Sequence, residues 1–132
     1  MEVLNMKIII SKKAPAAIGP YSQAIQSGNL VFCSGQIGID PLTGKLVDHS
    51  IKNQTKQIFS NIEAVLQVVG LTLSDVVKTT IFLASMKDFP TVNDLYSELF
   101  GNHKPARSTI QAAALPLGAL IEIECIAEKT LE

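Results

Sequence analysis

The sequence predicts an α+β fold, a mixed β-sheet with two helices packed on one of its faces. Three observations carry that expectation. Two stretches repeat apolar residues at helical spacing: Ile51, Ile58, Ile62, Val65, Leu66 and Val69 in the first, and Val92, Leu95, Tyr96 and Leu99 in the second. Short runs rich in β-branched residues lie before, between and after them. One of these runs, Val76-Val77-Lys78-Thr79-Thr80-Ile81-Phe82-Leu83, is too apolar to leave a face in water.

The elements follow in order. Residues 7–10 read as a short strand, and residues 11–22 as a loop broken by Pro15, Gly19 and Pro20. Residues 29–34 read as a buried strand around Leu30-Val31-Phe32-Cys33. Asp40-Pro41-Leu42-Thr43-Gly44 is a turn, after which residues 45–47 return as a strand. Asp48 or Ser50 caps the first helix, and Gly70 suits its end. Residues 75–84 form a long strand. The second helix starts near Asp88, admits Pro90 in its first turn and stops at Gly101. Residues 107–114 and 119–128 form two more strands, expected to pair as a hairpin through Leu115-Pro116-Leu117-Gly118. The order is β, β, β, α, β, α, β, β. With both helices on one face, the other face still needs cover, and sister copies of the chain are expected to supply it.

Bulk properties narrow the function. The 132 residues suit one domain, 1–132, with a real core; the final Leu131-Glu132 is set aside as a candidate cloning scar. Net charge is −1, the pI is about 6.1 and no basic tract occurs, so nucleic acid is not an expected partner. The apolar runs fall short of a membrane span. Residues 1–7 lack the cationic start and long apolar region of a secretion signal, so a cytoplasmic location is expected. Cys33 and Cys125 sit inside apolar strand runs and read as buried free thiols. Neither His49 nor His103 falls at zinc-ligand spacing, and no metal is expected.

Arg107 is the single arginine against ten lysines. Its planar fork holds a carboxylate or phosphate through two parallel hydrogen bonds and stays charged in a dry site, which lysine cannot match. The alternative is a surface arginine in a weak salt bridge. Glu122 and Glu124 alternate on the last strand and share a face, read either as an ordinary solvated face or as a carboxylate serving the Arg107 fork. Tyr21 follows Gly19-Pro20 in a stiff loop and by itself reads as an aromatic plug over the core. Gly35, in Ser34-Gly35-Gln36, lets backbone approach a ligand closely. Asn93, near the start of the second helix, reads by itself as an exposed helix residue. No serine or cysteine is paired with a histidine as an activated nucleophile. The chemistry this allows is mild, such as hydrolysis of an already electrophilic carbon.

Taken together, Ala14-Pro15-Ala16-Ala17-Ile18-Gly19-Pro20-Tyr21-Ser22-Gln23-Ala24, Ser34-Gly35-Gln36-Ile37, Asp75-Val76-Val77-Lys78-Thr79-Thr80, Thr91-Val92-Asn93, Pro105-Ala106-Arg107-Ser108 and Ile121-Glu122-Ile123-Glu124 strongly resemble the RidA (YjgF) family. The resemblance runs from about residue 7 to 129, with the motifs in order and at family spacing. It implies a chorismate-mutase-like fold and a homotrimer whose sheets close a central β-barrel, with clefts each built from two chains. It also implies a 2-iminobutanoate/2-iminopropanoate deaminase. Such an enzyme hydrolyses enamines and imines such as 2-aminoacrylate to 2-oxoacids and ammonia, with no metal or organic cofactor. By motif, Arg107 would bind the substrate carboxylate, and Glu122 would orient water and shuttle a proton. Tyr21, Gly35 and Asn93 would line the cleft. Many members have cysteine two residues after the arginine; here Thr109 stands at that pocket-lining position, which argues against thiol-based reactivity. The competing readings are a non-catalytic small-acid-binding or regulatory trimer and, disfavoured by the acidic pI, an endoribonuclease.

Overall fold

The computed structural model describes residues 6–130. Leu131-Glu132 and most of the segment read for a secretion signal lie outside the described residues. Eight strands and two helices run in the order β1 (Met6–Ile9), β2 (Ala24–Ser27), β3 (Leu30–Gln36), β4 (Ile39–Asp40), β5 (Lys45–Leu46), α1 (Ile51–Gln67), β6 (Val76–Leu83), α2 (Phe89–Phe100), β7 (Ala106–Gln111) and β8 (Ile121–Glu128). Six strands form one sheet in the order β1-β2-β3-β8-β6-β7, and β4 and β5 make a separate small hairpin. All neighbours in the large sheet are antiparallel except β6 and β7, which are parallel. The mixed sheet and two helices are those expected.

Alternation along the central strands builds the core. Ile121, Ile123, Cys125 and Ala127 of β8 are buried, as are Ile81 and Leu83 of β6 and Val31 and Cys33 of β3. They meet Ile58, Phe59, Ile62, Val65 and Leu66 of α1 and Val92, Tyr96 and Phe100 of α2. Both cysteines are free and buried, as read from the sequence. Ser50 caps α1 by accepting from the Asn53 amide, and Gly70, at φ 76°, turns the chain after it.

Three readings need correction. β2 was missed, because Ala24-Ile25-Gln26-Ser27 is short and half polar. In α2 the inward position belongs to Phe100, while Leu99 is exposed. Most consequentially, β7 and β8 do not form a hairpin. The two-sided apolar strand β6 lies between them, and its parallel pairing with β7 brings Arg107 beside Thr79.

The sheet face away from the helices stays uncovered by the chain itself. The register aligns Ile8, Ile25, Phe32 and Ile126 in one row across four strands. Ile8 is 62% and Phe32 42% exposed, a large apolar cost for an isolated chain. No helix among the described residues is long and apolar enough to cross a membrane.

Gln54, wholly buried in α1, fixes the start of β8. Its Oε1 accepts from the Leu120 amide at 2.9 Å, and its Nε2 donates to the Asp48 carbonyl at 3.1 Å. Gly38 lies so close that a Cβ there would stand 2.8 Å from the Gln54 Cα. Gln54→Leu keeps the volume but orphans a buried donor and acceptor. It should cost about 2–4 kcal/mol, read as a lower midpoint in urea unfolding.

Candidate functional site

Arg107 projects from β7 on the helix side of the sheet, as its register partner Thr79 does. Its guanidinium carbon lies 4.9 Å from the centre of the Tyr96 ring and 5.4 Å from that of Phe89. These distances suit cation–π attraction from both rings. Nη1 donates to Asn93 Oδ1 at 2.7 Å. The Tyr96 hydroxyl shares a 2.7 Å hydrogen bond with Thr79 Oγ1, which holds the ring in place. Burial pushes the Tyr96 phenol up, against the opposing Thr79 hydrogen bond and Arg107 charge, so the ring stays neutral beside the cation. A cleft of about 450 Å3 opens here, lined by Asn93, Tyr96, His103, Lys104, Pro105 and Arg107 among others. Asn93 occupies one donor of the fork and leaves the others for an anion.

Glu122 belongs to the opposite face, beside Phe82 of β6. A bulge between Cys33 and Gln36 of β3 shifts the ladder by one residue, pairing Gln36 with Ile123. Gln36 is thereby buried, and Gly35 is set against Glu122. A Cβ at position 35 would collide with the Glu122 carboxylate, coming within 2.9 Å of Cδ. Glycine is therefore what lets the carboxylate rest on the β3 backbone. Burial, then the charge of Glu124, pushes the Glu122 carboxyl above its ordinary range. A second cleft, of about 640 Å3, surrounds it; its lining includes Tyr21, Gly35, Ile37, Leu117, Glu122 and Glu124.

The residues singled out in the sequence thus fall into two groups. Arg107 and Asn93 share the first cleft; Tyr21, Gly35 and Glu122 share the second. The expected meeting of fork and carboxylate across a hairpin does not occur within one chain, because the two project from opposite sheet faces. Thr109 follows Arg107 on the helix side, beside Ile81, and lines neither of these clefts; its Oγ1 is buried without a hydrogen-bond partner. The sequence reading missed the ring platform of Phe89 and Tyr96. Tyr96 was placed in an apolar stripe, yet a tyrosine in such a stripe needs a partner for its hydroxyl, and that was the available signal.

A family model described as Endoribonuclease L-PSP, a label long carried by the RidA family, matches residues 11–129. The chain belongs to the RidA family. It is 54% identical over 124 residues to Reactive Intermediate Deaminase A, chloroplastic, of Arabidopsis thaliana, covering 94% of this chain and 66% of that longer protein. It is 46% identical over 127 residues to the 2-iminobutanoate/2-iminopropanoate deaminase of Mus musculus, covering 96% and 94% of the two chains. Among solved structures, YyfA of Yersinia pestis, of the conserved Rid protein family, superposes with a TM-score of 0.91 at 49% identity, covering 93% and 98%. The RidA architecture therefore accounts for the two helices and the mixed sheet.

The raised Glu122 carboxyl makes a signed prediction for stability. The folded chain holds this proton more tightly than the unfolded chain does. The contribution to stability is full below the unfolded value and is lost as pH rises through the folded one. In the single chain, where burial and Glu124 both raise the carboxyl and no cation among the described residues faces it, Glu122→Gln should therefore raise the melting temperature at pH 7 relative to wild type, with the gain vanishing below about pH 4. Scanning calorimetry at the two pH values checks this, and an equal gain at both would refute it.

Proposed function

We propose that the protein is a 2-iminobutanoate/2-iminopropanoate deaminase, hydrolysing reactive 2-imino acids and their enamines to 2-oxoacids and ammonia. The observation that carries this reading is the half-buried Glu122, seated on Gly35 with its carboxyl above the ordinary range. A carboxyl raised in this way takes up and holds a proton more readily than an ordinary glutamate does. The names borne by relatives at 46–54% identity point the same way.

The chemistry asks little of the protein. A protonated imine is already electrophilic at C2. Arg107 would bind the substrate carboxylate through its fork, held in aim by Asn93 and the two rings. Glu122 would take a proton from water as the oxygen bonds to C2, then pass it to the nitrogen. As the C–N bond breaks, Glu122 takes the remaining hydroxyl proton, which releases ammonia and leaves the 2-oxoacid. Positioning supplies most of the acceleration. Tyr21 would wall the substrate in and the Gly35 backbone would approach it, while Thr109, which lines neither cleft, is given no part in binding.

We infer a homotrimer with inter-subunit sites. Two features support it: the aligned apolar row Ile8, Ile25, Phe32 and Ile126, and the separation of Arg107 from Glu122 onto opposite faces. Three sheets closing a central barrel would cover the row, and the Arg107 of one copy would reach the Glu122 of another. We take residues 1–132 as one domain of that trimer. Two free thiols fit a reducing cytoplasm. The net charge of −1 gives RNA no electrostatic foothold, so the endoribonuclease label is not adopted.

The test couples the protein to a pyridoxal-phosphate dehydratase acting on serine or threonine and follows oxoacid release. Wild type should accelerate release. Arg107→Lys should lower kcat/KM about 100-fold, chiefly through KM, because a point charge cannot replace the fork. Glu122→Gln should lower kcat about 10²–10⁴-fold while still binding a 2-oxoacid. A near wild-type kcat/KM in Arg107→Lys, or a near wild-type kcat in Glu122→Gln, would sink the role given to that residue.

A composite site also predicts complementation. Arg107→Ala and Glu122→Gln chains, unfolded and refolded together, should recover activity that neither has alone. Absence of recovery in verified mixed trimers would place fork and carboxylate on the same subunit.

A further inference from the structure

We propose that Leu117 and Ile18 determine specificity at the Glu122 cleft, selecting 2-imino acids with an apolar side chain of about leucine's size over the smallest ones; this rests on the deaminase reading above. Both are large apolar residues held in solvent, Leu117 at 70% and Ile18 at 83% exposure. Both line the cleft that contains Glu122, together with Ile37 and Pro116.

Leu117 is the only non-glycine residue with positive φ among those described, at φ 57° and ψ 20°. A leucine adopts that left-handed conformation only where the surroundings impose it. Here two consecutive turns do so: the Gly118 amide donates to the Leu115 carbonyl at 3.3 Å, and the Ala119 amide to the Pro116 carbonyl at 3.0 Å. The chain thus accepts both backbone strain and an exposed apolar side chain at one position. Any polar residue, or glycine, would remove the exposure, and glycine would remove the strain as well. Strain and exposure coinciding beside a catalytic carboxylate point to contact with a ligand.

The substrate leaves one role for that contact. C2 of a 2-imino acid is trigonal and carries a carboxylate, a nitrogen and a side chain. The first belongs to the Arg107 fork and the second to Glu122 and its water. The side chain is left to the apolar part of the remaining lining, which includes Ile18, Ile37, Pro116 and Leu117. A cleft of about 640 Å3 has ample room for it, whereas the smallest imino acid would leave these residues in water. Specificity of this kind comes from differential burial of methylene groups.

The experiment generates imines from leucine and from alanine in situ with an L-amino acid oxidase, in semicarbazide, whose adduct formation competes with hydrolysis. For wild type, kcat/KM for the leucine-derived imine should exceed that for the alanine-derived one by about tenfold or more. In Leu117→Ser and in Ile18→Ser the ratio should fall by about tenfold. Leu117→Gly should show the same fall with a melting temperature no lower than wild type, since glycine occupies the turn without strain. An unchanged ratio in these variants, with assembly intact by sedimentation, overturns the proposal. Equal loss of both substrates together with dissociation overturns it too, assigning the residues to a subunit contact. A wild type that hydrolyses only the alanine-derived imine overturns the selection and leaves the deaminase reading standing. Hydrolysis of neither imine overturns both.

Discussion

The alternation of β8 is the constraint on which the rest depends. The strand lies at the centre of the sheet, between β3 and β6, so each side chain must choose the helix face or the opposite face. Ile121, Ile123, Cys125 and Ala127 take the helix face and close the core. Glu122 is thereby committed to the other side, the side with the uncovered apolar row. Arg107 is committed just as firmly to the helix side, because β7 pairs in parallel register with β6 and sets it beside Thr79. No side-chain rotation within one chain reverses either assignment. A one-residue slip of β8 would bring Glu122 to the other face only by putting Glu124 there too and expelling the core isoleucines.

This arithmetic separates what was legible in the sequence from what was not. The two helices were legible because their apolar spacing is unbroken and their ends carry Ser50, Gly70, Pro90 and Gly101. The faces of β8 were legible because Ile-Glu-Ile-Glu alternates strictly. Its neighbour was not. Sequence adjacency suggested a β7–β8 hairpin, but pairing partners are fixed by burial, and the apolar β6 is the strand that needs neighbours on both sides. The bulge at Ser34-Gly35 was likewise hidden. Gly35 stood out as a site of close approach, yet that the approaching group is the Glu122 carboxylate follows from register alone. Arg107 stood out by being unique; its ring platform did not, since Phe89 and Tyr96 also satisfy ordinary core spacing. The roles of these residues were carried by resemblance to the RidA family.

The positions at odds with folding economy gather at one end of the sheet. Glu122 is held where its charged form is disfavoured. Gly35 gives up a side chain so that the carboxylate can lie against backbone. Leu117 accepts a left-handed backbone and an exposed apolar surface. By contrast, the interactions that fix this end are fully satisfied: Gln54 bonds to Leu120 and Asp48, Ser34 Oγ donates to the Ser22 carbonyl at 2.6 Å, and buried Gln23 spans Ser11 and Pro15. A rigid, satisfied frame around a few unfavourable residues is what a preorganised site requires, since unfavourable groups relax wherever the frame lets them. The Arg107 side has the opposite character. Its fork is stabilised by two rings and an amide, and it carries no comparable strain. The asymmetry suits the proposed division of labour, in which Arg107 would be an anchor that needs only to be held still and Glu122 a proton shuttle kept away from its most comfortable state.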